Sequence, residues 1–159
     1  RGEGVGVELQ GRQDPLRLVS GEPRLREGRV GADEGPELDG LLRVDLHAVE
    51  DGRAAFRGTP EFNVTNPMGT VHGGWYGTLL DSAMACAIMT RVPRGSVYTT
   101  LEYKINITRA IPLGMEIECL GIVDHSGRST GVAHGEIRGV EDGKLYATGS
   151  TTCIIMKIA

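Results

Sequence analysis

The sequence predicts an α+β domain in which one antiparallel sheet wraps around a single central helix. Three observations carry that prediction. Thr99, Leu101, Tyr103, Ile105 and Ile107 alternate strictly with Thr100, Glu102, Lys104, Asn106 and Thr108, which is the period of two of a strand. Trp75 to Thr90 contains no proline, is rich in Leu, Ala and Met, and is apolar round most of its circumference. A helix of that kind is buried on nearly all sides. The remaining apolar runs are separated by short turn sequences, and consecutive strands joined by short turns pair antiparallel. One long sheet curled around the helix is the economical way to cover it.

The elements follow in order. Residues 1–40 hold no aromatic residue, many Gly, Arg and Glu, and prolines at 15, 23 and 36. Such a segment buries too little apolar surface to offset its ordering entropy. It reads as a mobile or loosely docked extension, with a short helical turn near Glu37–Leu42, ahead of a domain over 41–159. Leu42, Val44, Leu46 and Ala48 alternate with polar neighbours, Glu50-Asp51-Gly52 supplies a turn, and Ala54-Ala55-Phe56 begins a return strand. That is a hairpin over 42–58. Phe62 to Gly69, with Asn63, Asn66-Pro67 and Gly69, reads as an irregular loop. The helix follows and is ended by Pro93 and Gly95. The alternating strand over 99–108 and three more, Met115–Val123, Thr130–Arg138 and Lys144–Met156, complete a meander. His125-Ser126-Gly127 and Glu141-Asp142-Gly143 form its turns.

Composition narrows the function. The 159 residues suffice for one domain, and 40% hydrophobic content supports a core. Seventeen Lys+Arg against 21 Asp+Glu leave a net charge of −4, which argues against a nucleic-acid partner. The three cysteines, Cys86, Cys119 and Cys153, are odd in number and far apart; they suit free thiols in a reducing compartment. Residues 1–39 show no apolar run of signal-sequence length. The longest apolar stretch, Trp75–Met89, is short for a bilayer and carries Asp81. The expectation is a cytoplasmic protein with no membrane contact.

Two features of the helix point to chemistry. His72-Gly73-Gly74 falls where it begins. Helix N-termini present unpaired N–H groups and a positive dipole end, and glycines let an acyl group approach the backbone. The tripeptide is either an oxyanion site or simply a tight loop-to-helix entry. Asp81 is the only charged side chain between His72 and Arg91. A carboxylate in an apolar helix costs several kcal/mol, so it has either a structural partner or a task. Gly73 and Asp81 stand eight residues apart, about 12 Å along a helix at ~1.5 Å per residue. A base or nucleophile and an oxyanion donor must both lie within about 3–3.5 Å of one reacting group. If the two act together, Asp81 meets Gly73 of a second subunit whose helix runs antiparallel, and the protein is a dimer with two shared sites.

Residues from about 40 to 157 resemble the PaaI-type acyl-CoA thioesterases of the hotdog-fold superfamily. The resemblance is carried by Asn66-Pro67-Met68-Gly69, Val71-His72-Gly73-Gly74, Thr78-Leu79-Leu80-Asp81-Ser82-Ala83-Met84 and Thr100-Leu101-Glu102-Tyr103-Lys104-Ile105-Asn106. It implies a sheet of about five or six antiparallel strands around the helix, dimers that join sheets edge to edge, and pairs of dimers forming tetramers. It also implies hydrolysis of an acyl-CoA thioester to free acid and CoA. Asp81 would be general base or nucleophile, and the Gly73 N–H would polarise the thioester carbonyl. Asn66 would bind that carbonyl or place the water, and Thr100 would assist the water. His72 and Gly74 would support the substrate-binding loop. No separate cofactor is implied, because CoA is part of the substrate. Arg109-Ala110-Ile111-Pro112 departs from the family in lacking an adjacent Arg-Pro pair, which bears on how the nucleotide end of CoA is held.

Other signals carry less. No Gly-x-Ser-x-Gly elbow accompanies the His-Gly-Gly, which excludes an α/β-hydrolase reading. Cys86 among alanines reads as a core thiol. His47, His125 and His134 lack metal-ligand spacing, so no metal is expected. Gly2-x-Gly4-x-Gly6 has neither a strand before it nor a helix after it. Arg91 and Arg94 complement the helix C-terminus or bind a phosphate. Two rivals to the thioesterase are a hydratase or dehydratase acting on enoyl thioesters and a non-catalytic acyl-CoA binding module.

Overall fold

The computed structural model describes residues 42–158. The extension expected over 1–40, and all but the last residue of the turn expected near Glu37–Leu42, lie outside the described residues. Strands β1 (Val44–Glu50) and β2 (Arg53–Gly58) form the predicted hairpin. Gly52 turns it with a φ of 74°, a conformation that favours glycine. A single 3-10 turn, Phe62–Val64, interrupts the loop that follows. Helix α1 runs from Gly73 to Met89. Then come β3 (Ser96–Ile107), β4 (Ile117–Ser126), β5 (Thr130–Gly139) and β6 (Leu145–Lys157). All strands pair antiparallel in one sheet of order β1-β2-β4-β5-β6-β3. The sheet wraps α1, which is the hotdog architecture.

The meander is not in sequence order. β3 does not neighbour β4; it pairs with β6 at one edge, while β4 pairs with β2. Only β4-β5-β6 are joined by short turns. The chain leaving β3 must pass back across two intervening strands, roughly 14 Å at ~4.8 Å per strand spacing. It is pinned on the way, since the buried Ile111 donates its N–H to the Tyr76 hydroxyl of α1 at 2.9 Å. The turn expected at His125-Ser126-Gly127 also sits later. β4 continues through Ser126, with a register shift between Val123 and His125.

The helix is less enclosed than its composition predicts. Trp75, Tyr76, Leu79, Leu80, Ala83, Met84, Ala87 and Ile88 are buried against the sheet. Thr78, Asp81, Ser82, Ala85 and Cys86 are only half-buried, and Gly74 and Met89 are exposed. The sheet curls round one side of α1 and leaves a stripe uncovered at helical spacing. On the covered side the helix lies directly on backbone. Gly121, Gly135 and Gly149 face one another in register across β4, β5 and β6. A Cβ at Gly121 would overlap the backbone carbonyl of Ala83. Among the described residues, no helix is long and apolar enough to cross a membrane.

Candidate active site

The loop before α1 is built around Asn66. Its Oδ1 accepts from the N–H of Met68 at 2.9 Å and of Thr70 at 3.2 Å, and its Nδ2 donates to Thr70 Oγ1 at 2.8 Å. Such an Asx turn fixes the backbone locally. Thr65 then bridges to Val71, and the His72 N–H donates to Val64 O at 2.8 Å. The loop therefore delivers His72 and Gly73 to a defined place. Most of the Asn66 side chain is committed to that task.

His72 is the N-cap of α1. Its Nδ1 accepts from the Gly74 N–H at 2.9 Å. A ring nitrogen that accepts carries no proton, so the neutral ring holds its proton on Nε2. This is a supporting role for His72, and it takes the Gly74 N–H out of play. The Gly73 N–H has no hydrogen-bond partner among the described residues, as a first-turn amide cannot bond within its own helix. The entrance thus presents one unspent donor at the positive end of a helix of 17 residues.

Asp81 lies on the half-covered stripe of α1, and Thr100 Oγ1 donates to its Oδ1 at 2.9 Å. Strict alternation would turn Thr100 away from the helix, with Glu102 and Lys104. A bulge reverses this. Thr100 pairs with Cys153 and Glu102 with Thr152, leaving Leu101 as an extra residue. Beyond the bulge the odd positions face α1: a Cβ on Gly77 would lie 3.2 Å from the Tyr103 hydroxyl, and one on Gly73 would lie 3.6 Å from Ile107. Before it the even positions do, and Thr100 and Tyr98 share that side.

The groups beside Asp81 are neutral at physiological pH. Burial pushes the Tyr98 phenol well above its usual range, and the nearby Cys86, Cys153 and Asp81 add to the effect. Burial likewise raises the Cys153 thiol, whose sulfur is 3.9 Å from Thr100 Oγ1. The predicted residues therefore fall into two groups. Asn66, His72, Gly73 and Gly74 make the helix entrance, while Asp81 and Thr100 meet where α1 faces β3. Eight residues of one continuous helix keep the groups about 12 Å apart within a protomer. Tyr98 and Tyr103, which flank Asp81 along β3, were not singled out by the sequence; the bulge that brings Tyr98 round has no residue signature.

Comparison with known proteins bears on the family. The family described as the Thioesterase superfamily matches residues 68–146. The chain is 31% identical over 88 residues to mouse acyl-coenzyme A thioesterase 13; the match spans 55% of this chain and 62% of that protein. A conserved protein of Pseudomonas aeruginosa is 31% identical, with a TM-score of 0.70 over 76% of this chain and 94% of its own. The N33D mutant of the phenylacetic acid degradation protein PaaI from Thermus thermophilus is 26% identical. Its TM-score is 0.66 over 73% of this chain and 96% of its own. With the single-helix sheet and the His-Gly-Gly entrance, these likenesses show that the chain belongs to the thioesterase superfamily, among its PaaI-type hotdog members.

Proposed function

We propose that this protein hydrolyses acyl-CoA thioesters to a free acid and CoA, in a homodimer whose two sites each draw on both chains. The observation that carries the reading is the division of the site. A hydrogen-bonded carboxylate and an unspent backbone donor sit on one helix, too far apart to serve one carbonyl. An antiparallel partner helix resolves this. If the partner's Gly73 meets Asp81, symmetry places the two-fold axis beside Gly77, midway between them. The surface around that axis suits an interface. β3 is an edge strand of 12 residues, and Leu101 (59% exposed), Tyr103 and Ile107 (47% each) stand bare along it. Long apolar edges of this kind are normally covered.

In such a site the partner's Gly73 N–H donates to the thioester oxygen and stabilises the charge that develops there. Asp81 acts through the oxygen that Thr100 does not engage, as general base towards water or as nucleophile. Water oxygen ends on the acyl carbon, the C–S bond breaks with its electron pair on sulfur, and a proton from water completes the thiol. The test is thiol release from a panel of acyl-CoA esters by wild type and by Asp81→Asn, with circular dichroism to verify folding. Loss of a general base lowers the rate about 10²–10⁴-fold. An Asp81→Asn protein as fast as wild type overturns the proposal.

A further inference from the structure

We infer that Tyr98 is a specificity-determining residue, forming the end wall of the acyl cavity beside Asp81 and restricting the substrate to compact acyl groups. This rests on the thioesterase reading. α1 and β3 meet in a series of facing pairs: Ile107 against Gly73, Tyr103 against Gly77, Thr100 against Asp81. Tyr98 is next in that series. It precedes Thr100 by two residues on the same side of the strand, pairs in register with the buried Ile155, and packs on the core.

On the helix, the half-covered stripe continues past Asp81 to Ala85 and Cys86, both half-buried. With the two-fold beside Gly77, the partner's helix covers α1 from Asp81 back towards Gly73. The loop that precedes the partner's Gly73 falls beyond Asp81. The space bounded by Asp81, Ala85, Cys86 and that loop is therefore closed at its far end by the Tyr98 ring. The Tyr98 hydroxyl has no hydrogen-bond partner among the described residues. It stays protonated throughout the neutral range, so the wall adds no charge to repel an apolar acyl chain.

The experiment compares kcat/KM for butyryl-, hexanoyl-, octanoyl- and decanoyl-CoA in wild type, Tyr98→Ala and Tyr98→Leu. Affinities for the matching S-alkyl-CoA thioethers are measured in parallel. Removing the wall is expected to raise the decanoyl-to-butyryl ratio at least tenfold in Tyr98→Ala and by less in Tyr98→Leu, with thioether affinities moving the same way; one methylene of fit is worth about 10–200-fold. Tyr98→Leu retains most of the core volume, so the test survives misfolding of the alanine variant. An unchanged ratio and unchanged thioether ranking in a folded variant, with an active wild type, overturn the wall and leave the thioesterase intact. A wild type that releases no thiol from any ester overturns both.

Discussion

Thr100 contributes a single hydroxyl, and its value lies in where that hydroxyl is aimed. It donates to one oxygen of Asp81 and, on the proposed reading, leaves the other for chemistry. A hydrogen bond to a charged group is worth about 1.5–3 kcal/mol. Thr100→Val, nearly equal in volume, should then lower kcat about tenfold or more, with KM little altered, and Thr100→Ser should restore most of the loss. A fall in KM-limited binding alone would show that Thr100 orients substrate rather than the carboxylate. At this scale the sequence is uneven. Asp81 is legible because a lone charge in an apolar helix demands a reason. Gly73 is legible because glycine at a helix start exposes an amide. The partnership of Thr100 with Asp81 is not legible, because it depends on a bulge at Leu101 that Thr-Thr-Leu-Glu does not advertise. The supporting place of His72 is legible but its capping bond is not: helix N-caps are ordinarily Ser, Thr, Asp or Asn, and here an imidazole nitrogen does that work.

The helix-on-sheet contact and the β5–β6 turn belong to the scaffold that carries these residues. The Gly121-Gly135-Gly149 rung lets α1 rest on the sheet backbone. Gly121→Ala would press a methyl into the Ala83 carbonyl, which is backbone and cannot swing aside. Overpacking of this kind costs about 1–3 kcal/mol or more, and urea denaturation of Gly121→Ala should show at least that loss. In the turn, Asp142 accepts from the Lys144 N–H at 3.0 Å and the Tyr146 hydroxyl at 2.9 Å. The Lys144 amide, the Tyr146 hydroxyl and the Lys144 charge hold its carboxyl below the usual range. A depressed folded pKa supplies stability above the unfolded value of about 3.9, lost as pH falls through the folded one. Asp142→Asn should therefore lower the melting temperature at pH 7, and that difference should shrink steadily in melts taken to lower pH below the unfolded value. Elements themselves were legible wherever periodicity was long, as in α1 and β3. Their order was not: adjacency in sequence suggests β3 beside β4, whereas the length of the 108–116 connection allows β3 to reach the opposite edge.

The whole molecule raises the question of whether one chain can be active by itself, and the proposed shared site answers it in a form that mixing can test. Asp81 and Gly73 belong to one helix and, on the reading above, to different sites. Their eight-residue spacing is legible in the sequence; that β3 is an edge strand is visible only with the sheet order. Two variants each remove one half of the site. Asp81→Asn removes the carboxylate. Gly73→Pro removes the amide hydrogen at the first helical position, where proline's fixed φ is compatible with the helix and no intrahelical bond is lost. Each homodimer has two broken sites. In a heterodimer, one site receives both defects, and the other receives Asp81 from the proline variant and Gly73 from the asparagine variant, so it is whole. Refolding equal amounts together gives half heterodimers, each with one good site of two, and should recover about a quarter of wild-type thiol release. The recovered activity should scale with the product of the two variant fractions and peak at equal mixing. A site complete within one chain predicts no recovery at any ratio, because every chain in the mixture then carries its own defect.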